Sequence, residues 1–179
     1  MTSTKLTIVP ETPEAHAEAI EALYDATFGP GHFAKTAERL REYNQSLPEL
    51  NRVALRDGEV IAATRVWPVH VSTGGAALFV GPVAVALSER GSRLGLSVTG
   101  ECLEAARTAG WRGAILIGAP VYFGDIGFRK VPAGRLIMPA PQDASRIMVA
   151  DLAGDANIYA GDVTIQSHIN RWTQAPDAV

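Results

Sequence analysis

At 179 residues with a single cysteine, the chain has room for one ordinary core and no means of building an internal disulfide framework. Its 16 basic and 19 acidic residues leave a formal charge of −3 with no lysine- or arginine-rich run, which excludes nucleic acid or an anionic membrane as the main partner. The 47% hydrophobic and 20% charged content excludes global disorder, and the first thirty residues lack a cationic start followed by an apolar run, so a cytoplasmic protein is expected.

Lys5 to Val9 is short, β-branched and closed by Pro10, which predicts an opening strand. Thr12-Pro13-Glu14 then supplies a cap, a first-turn proline and an early carboxylate, the start of a helix. Ile20, Leu23, Tyr24 and Phe28 make its apolar stripe, and Gly29-Pro30-Gly31 stops it. A second helix is predicted from Ala34 to Tyr43. Arg52–Arg56 and Val60–Val66 flank Asp57-Gly58, a tight hairpin signal, and the second arm continues to Val71 with a bend at Trp67-Pro68.

Val71 to Ser88 carries no charge, but Ser72-Thr73-Gly74-Gly75 and Gly81-Pro82 punctuate it, so a turn and a strand are predicted in place of a membrane span. That strand, Ala77 to Val85, is apolar on both faces, as a central strand is. Pro82 has no amide for a ladder, so a bulge is predicted at Gly81-Pro82. A helix follows from Leu94 to Ala109 with Gly110 beyond it, then a buried strand at Ala114–Ile117 and helical turns over Val121–Ile126. Arg129–Ile137 and Arg146–Asp151 are predicted as the last strands. The order implies an α/β fold, a mixed sheet with helices on both faces, as one domain over 4–172 with a loose tail over 173–179.

The chemistry concentrates between Leu78 and Phe128. An apolar strand runs into a loop holding Arg90, Gly91 and Arg93, and the loop opens a helix. Unpaired amides at a helix N-terminus carry partial positive charge, glycine lets backbone approach closely, and arginines add full charge, so this is an anion site or simply a turn. Val85 followed by Arg90-Gly91-Ser92-Arg93-Leu94-Gly95 resembles the Q/R-x-x-G-x-G/A pattern of the GNAT superfamily of N-acetyltransferases, and Gly118 to Gly127-Phe128 resembles that family's later motif. The spacing of the two motifs, and the segment from Met138-Pro139 to Leu152, resemble one bacterial branch of predicted acetyltransferases, so the likeness covers most of the chain.

The resemblance implies a mostly antiparallel, splayed sheet and acetyl-CoA as co-substrate, without a metal. It implies that Val83, Ala84 and Val85 line the pantetheine arm, with an amide near Val83 meeting the thioester carbonyl. The pyrophosphate would rest on Arg90, Gly91, Ser92, Arg93, Leu94, Gly95 and Leu96. The expected activity is transfer of an acetyl group to a primary amine by direct attack. The acceptor would be a small molecule or a peptide amine, and a homodimer is an analogy only. Two positions depart from the family. Arg93 stands where the pattern has glycine, which costs binding if a positive φ is needed there and little if only the amide matters. Phe123 stands where the family's acid tyrosine lies; Tyr122 is adjacent, but one helical step turns a side chain by about 100°. The alternative is a catalytically degenerate acyl-CoA-binding or sensor module. Tyr122 and His70, the latter beside Trp67-Pro68, are the catalytic candidates, as acid and base. The four histidines show no metal-ligand spacing, and Cys102 reads as a buried structural thiol.

Overall fold

In the computed structural model, which describes residues 5–29, 36–155 and 158–165, the chain opens with β1 (Leu6–Pro10) and α1 (Pro13–Phe28). Pro13 occupies the first turn of α1, where its missing amide costs nothing, and Gly29 at φ +71° ends it. Thr12 makes no side-chain cap; its backbone amide donates to His16 Nδ1 instead. Among the described residues, one turn of the second predicted helix is helical, α2 (Thr36–Arg39), and Asn44 closes that region by donating to the carbonyls of Leu40 and Pro68. Ala34 and Lys35 lie outside the described residues, as does the tail from Thr173.

β2 (Arg52–Arg56) and β3 (Glu59–Thr73) turn at Asp57 and Gly58, both at positive φ as a tight hairpin requires. β3 runs through Trp67-Pro68 without a break in its register to β4. The Pro68 carbonyl faces Asn44, away from the next strand, so the missing amide breaks no ladder bond on that side. β4 (Gly75–Val85) pairs with β3, and the register steps from Val66↔Val80 to Thr64↔Val83. Gly81 and Pro82 therefore oppose Arg65 together, which is the expected bulge. α3 (Leu94–Thr108), β5 (Gly113–Ile117) and α4 (Pro120–Phe123) follow, α4 running into a 3₁₀ turn at Gly124–Ile126.

The predicted strand Arg129–Ile137 is split. β6 (Phe128–Lys130) pairs with β8 (Ile147–Asp151), while β7 (Leu136–Ile137) pairs with β9 (Ala160–Ile165), because Pro132 and Gly134 interrupt the run. β9 has no counterpart among the predicted elements; it takes the edge of β3 that β2 leaves free, from Val69 to Thr73. The sheet runs β1-β2-β3-β4-β5-β8-β6, with β9 beside the far half of β3 and β7 beside β9. Only β4–β5 and β7–β9 are parallel, so the sheet is mixed and mostly antiparallel as expected.

α3 covers one face, packing Cys102, Leu103 and Ala106 on Leu78, Val80, Leu116 and Phe128. The other face receives α1, through Ile20, Leu23 and Tyr24 on Val53, Ala63 and Ala84, and farther along Leu40 on Val69, Phe79 and Ile115. Among the described residues no helix is long and apolar enough to cross a membrane. What positions the site is an interruption of the sheet's middle. β4 and β5 pair only over Leu78–Val80 and Ala114–Leu116, yet β4 continues to Val85, so the two strands part into a wedge.

Candidate functional site

The wedge exposes one edge of β4, and the register says which atoms lie there. Ala86 N–H donates to Ile61 O at 2.8 Å, and the pairs Ala62↔Val85, Ala63↔Ala84 and Thr64↔Val83 follow. Antiparallel residues alternate between facing the partner and facing away. Ala84 therefore bonds with Ala63, whereas Val83 and Val85 turn their amides and carbonyls into the wedge. Of the three predicted strand residues, two present polar backbone to the open wedge. The bulge itself is braced from β3 and α1: Trp67 Nε1 donates to Gly81 O at 2.6 Å, and Tyr24 Oη donates to Pro82 O at 3.4 Å.

The loop after β4 begins with a 3₁₀ turn, Leu87–Glu89. Arg56 clamps Glu89 with two 2.9 Å bonds, which neutralises that carboxylate and ties the loop to β2. Among the described residues, the amides of Gly91, Arg93 and Gly95 make no bond, and Leu94 N–H reaches only Ser92 Oγ at 3.3 Å. Leu96 N–H is used, donating to Arg93 O. Arg93 sits at φ +61°, so the position does demand the left-handed conformation and arginine adopts it. Its guanidinium reaches Asp125 Oδ2 at 2.6 Å, whereas Arg90 is exposed and makes no ion pair among the described residues.

Tyr122 comes to the same place. A β-carbon at Gly95 would lie 2.9 Å from Tyr122 Oη, 3.2 Å from Val85 Cγ2 and 3.4 Å from Val83 Cγ1. The hydroxyl thus sits over the first turn of α3, beside the open edge of β4. Phe123 turns inward instead, edge-on to both Tyr122 and Phe128. Behind Gly95, Thr99 Oγ1 donates to the Gly95 carbonyl at 2.7 Å; its one hydrogen is then spent, so Thr64 donates to Thr99 at 3.1 Å. His70 is not brought there. It pairs with Ala76, seven residues and about 20 Å of strand from Val83. Cys102 is buried, and burial pushes its thiol up to about 12, which leaves it inert.

A CoA-bound GNAT family N-acetyltransferase from Escherichia coli, YhbS, shares this arrangement of elements at a TM-score of 0.77 and 28% identity, with 96% of each chain covered. The chain belongs to the GNAT superfamily. A GNAT family acetyltransferase from Brucella melitensis in complex with acetyl-CoA matches at 24% identity and a TM-score of 0.67, over 92% of this chain and 98% of that one. The ribosomal-protein-S18-alanine N-acetyltransferase of Escherichia coli matches in fold, at 16% identity and a TM-score of 0.56, over 83% and 95% of the two chains. No protein-family model and no curated protein matches the sequence.

In this GNAT domain the face opposite α3 carries a polar cluster that sequence reasoning did not find. Thr64 and Val66 point to α3, so Arg65 between them points the other way, directly across from the bulge. It meets Glu11 through two bonds of 3.0 and 2.7 Å, reaches Glu21 at 2.5 Å, and lies 5.7 Å from the Tyr24 ring centroid. Asn51 holds Glu11 from behind and accepts from Val66 N–H. Burial raises the Tyr24 phenol pKa despite Arg65, so Tyr24 stays a hydrogen-bond donor toward Pro82. The available signal was the i, i+3, i+4 spacing of Glu21 beside Ile20, Leu23 and Tyr24, which suits a plain amphipathic helix equally well.

Proposed function

We propose that this protein is an acyl-CoA-dependent N-acyltransferase that moves the acetyl group of acetyl-CoA to a primary amine by direct attack. One observation carries the reading: the open edge of β4, with Val83 and Val85 unpaired, leads straight to the unbonded amides of Gly91, Arg93 and Gly95 at the start of α3. An extended amide-bearing arm that ends in a pyrophosphate matches that sequence of contacts, and the CoA-bound and acetyl-CoA-bound neighbours support the choice. The α3 N-terminus and Arg90 hold the phosphates, while Val83 and Val85 pair with the arm.

Acetyl-CoA supplies an activated acyl group; the chain's residues do the rest. The Val83 amide donates to the thioester carbonyl oxygen as negative charge builds on it. A neutral amine attacks the carbonyl carbon, the new C–N bond forms, and the C–S bond breaks. The amine's surplus proton leaves to water, and Tyr122 Oη protonates the departing thiolate and is itself reprotonated from solvent. The place of the Tyr122 hydroxyl beside Val83 and Val85 favours an enzyme over a binding module that has lost its acid. A cytoplasmic location belongs to the same reading, because the reaction needs a compartment that supplies the cofactor.

Thermal unfolding with and without acetyl-CoA tests the groove, on the wild type and on Arg90→Ala and Gly95→Asp. At a hundredfold excess over Kd, a ligand adds about 2.7 kcal/mol, which is several degrees for a domain of this length. We expect the wild type to shift, Arg90→Ala to shift less, and Gly95→Asp not at all, since its carboxylate would meet both Tyr122 and the phosphates. No wild-type shift at millimolar acetyl-CoA overturns the reading.

A further inference from the structure

The Val83 amide and the Pro82 carbonyl are the two ends of one peptide unit. That unit is trans, so it is planar and its C=O points opposite to its N–H. The Val83 N–H faces the wedge, and whatever holds Pro82 O from the other side therefore sets the direction in which that N–H points.

What holds it is Tyr24. This side chain comes from α1, is 3% exposed and packs with Val53, Ala63 and Ala84 on the face opposite α3. Its Oη donates to Pro82 O at 3.4 Å, long for a hydroxyl bond, as the bonds of a catalytic site often are before it is loaded. Arg65, across from the bulge, lies 5.7 Å from the ring centroid and is itself fixed, with Nε and both terminal nitrogens bonded to Glu11 and Glu21. The preceding carbonyl, Gly81 O, takes the Trp67 Nε1–H at 2.6 Å. Both carbonyls of the bulge thus have a side-chain donor, one from α1 and one from β3. Burial raises the Tyr24 pKa, so the phenol keeps its proton at neutral pH.

We propose that Tyr24 is a positioning residue for acyl transfer: through Pro82 O it aims the Val83 N–H at the thioester carbonyl and strengthens it as a donor. This rests on the acyltransferase reading and adds a residue to its oxyanion contact. A bond accepted by the carbonyl draws electron density from the N–H of the same amide, and bonds linked in this way reinforce one another by about 10–30% each. The gain is largest when negative charge builds on the thioester oxygen. Tyr24 acts from behind the peptide and need not touch the cofactor. The Val85 amide does not depend on it, because the carbonyl of that peptide unit belongs to Ala84, which bonds with Ala63.

The test compares the wild type, Tyr24→Phe and a protein carrying 3-fluorotyrosine at position 24 alone, a stronger donor of nearly the same size. Infrared difference spectra of bound acetyl-CoA with carbon-13 at its thioester carbonyl read the donor directly, without an acceptor amine. The wild type should move the thioester stretch to lower frequency, Tyr24→Phe should lose about 10–30% of that shift, and the fluorinated protein should exceed it. Both variants should keep the wild-type thermal shift with acetyl-CoA. In the free protein the Val83 amide proton should move upfield in Tyr24→Phe while that of Val85 stays; a merely loosened fold would move both. Should Tyr24→Phe fail to fold, the fluorinated protein decides, through a stretch and a Val83 resonance displaced in the opposite sense. An equal stretch in all three proteins overturns the proposal, as does displacement of both amides alike. If acetyl-CoA binds but its stretch matches that in water, the proposal fails and the cofactor reading stands. If acetyl-CoA does not bind, the acyltransferase reading fails and the role of Tyr24 in transfer falls with it.

Discussion

The hydroxyl of Tyr122 owes its place to a missing β-carbon. Gly95 leaves room over the first turn of α3, and any side chain there would displace the phenol or push back Val83 and Val85. Phe123, one residue on, is committed to packing against Phe128 and has no hydroxyl to offer. Tyr122→Phe should therefore bind acetyl-CoA with the same thermal shift and lower kcat about a hundredfold, with KM for acetyl-CoA unchanged. An unaltered kcat in steady-state thiol release would mean that water protonates the thiolate. Arg93 is a different case. Its left-handed backbone costs about 1 kcal/mol, and its exposed pair with Asp125 is worth about that or less, so the two nearly cancel. On the proposed reading the arginine is tolerated where the family pattern has glycine because a phosphate would take only its amide, which makes no bond among the described residues.

At the scale of elements, the bulged strand makes a prediction about individual amides. Val83 and Val85 face the wedge and Ala84 is paired to Ala63, so amide exchange should alternate along β4. In the free protein Val83 and Val85 should exchange fast and Ala84 slowly; acetyl-CoA should protect the first two and leave Ala84 as it was. Residue-resolved hydrogen exchange by NMR checks this, and uniform protection of all three without ligand would mean that the wedge is closed. This strand and loop were legible because their signals are local: an apolar run, Gly81-Pro82 within it, and Arg90 to Gly95 after it. The partners were not. Trp67 to Gly81 and Arg56 to Glu89 bridge 14 and 33 positions, and no periodicity reports such contacts. β9 escaped notice because its residues are strand-like only once the far edge of β3 is there to pair with. His70 was drawn toward the site by closeness in sequence to Trp67, but alternate strand residues and a long β3 carry it away.

For the molecule as a whole, an open wedge removes ladder bonds from the middle of the sheet, and the half from β1 to β4 must be braced by other bonds. On the α3 side the Thr64–Thr99–Gly95 chain does so. On the other side Arg65 joins Glu11, at the β1–α1 junction, to β3 across 54 positions of sequence, and Asn51 adds the loop before β2. Glu11 is 7% exposed, so removing Arg65 would strand a buried carboxylate. Breaking such a pair costs about 3–5 kcal/mol, against about 1 kcal/mol for the part-buried Arg56–Glu89 pair, whose arginine is a third exposed. Arg65→Met should then lower Tm by on the order of 10 °C, and Arg56→Met by roughly 2–4 °C or less. Adding Glu11→Gln to Arg65→Met should recover part of the loss, since it removes the stranded charge. Melting curves of the three variants decide the matter: a single Arg65→Met variant as stable as wild type, or a double variant no better than the single, would show that the ion pair does not brace this half of the sheet.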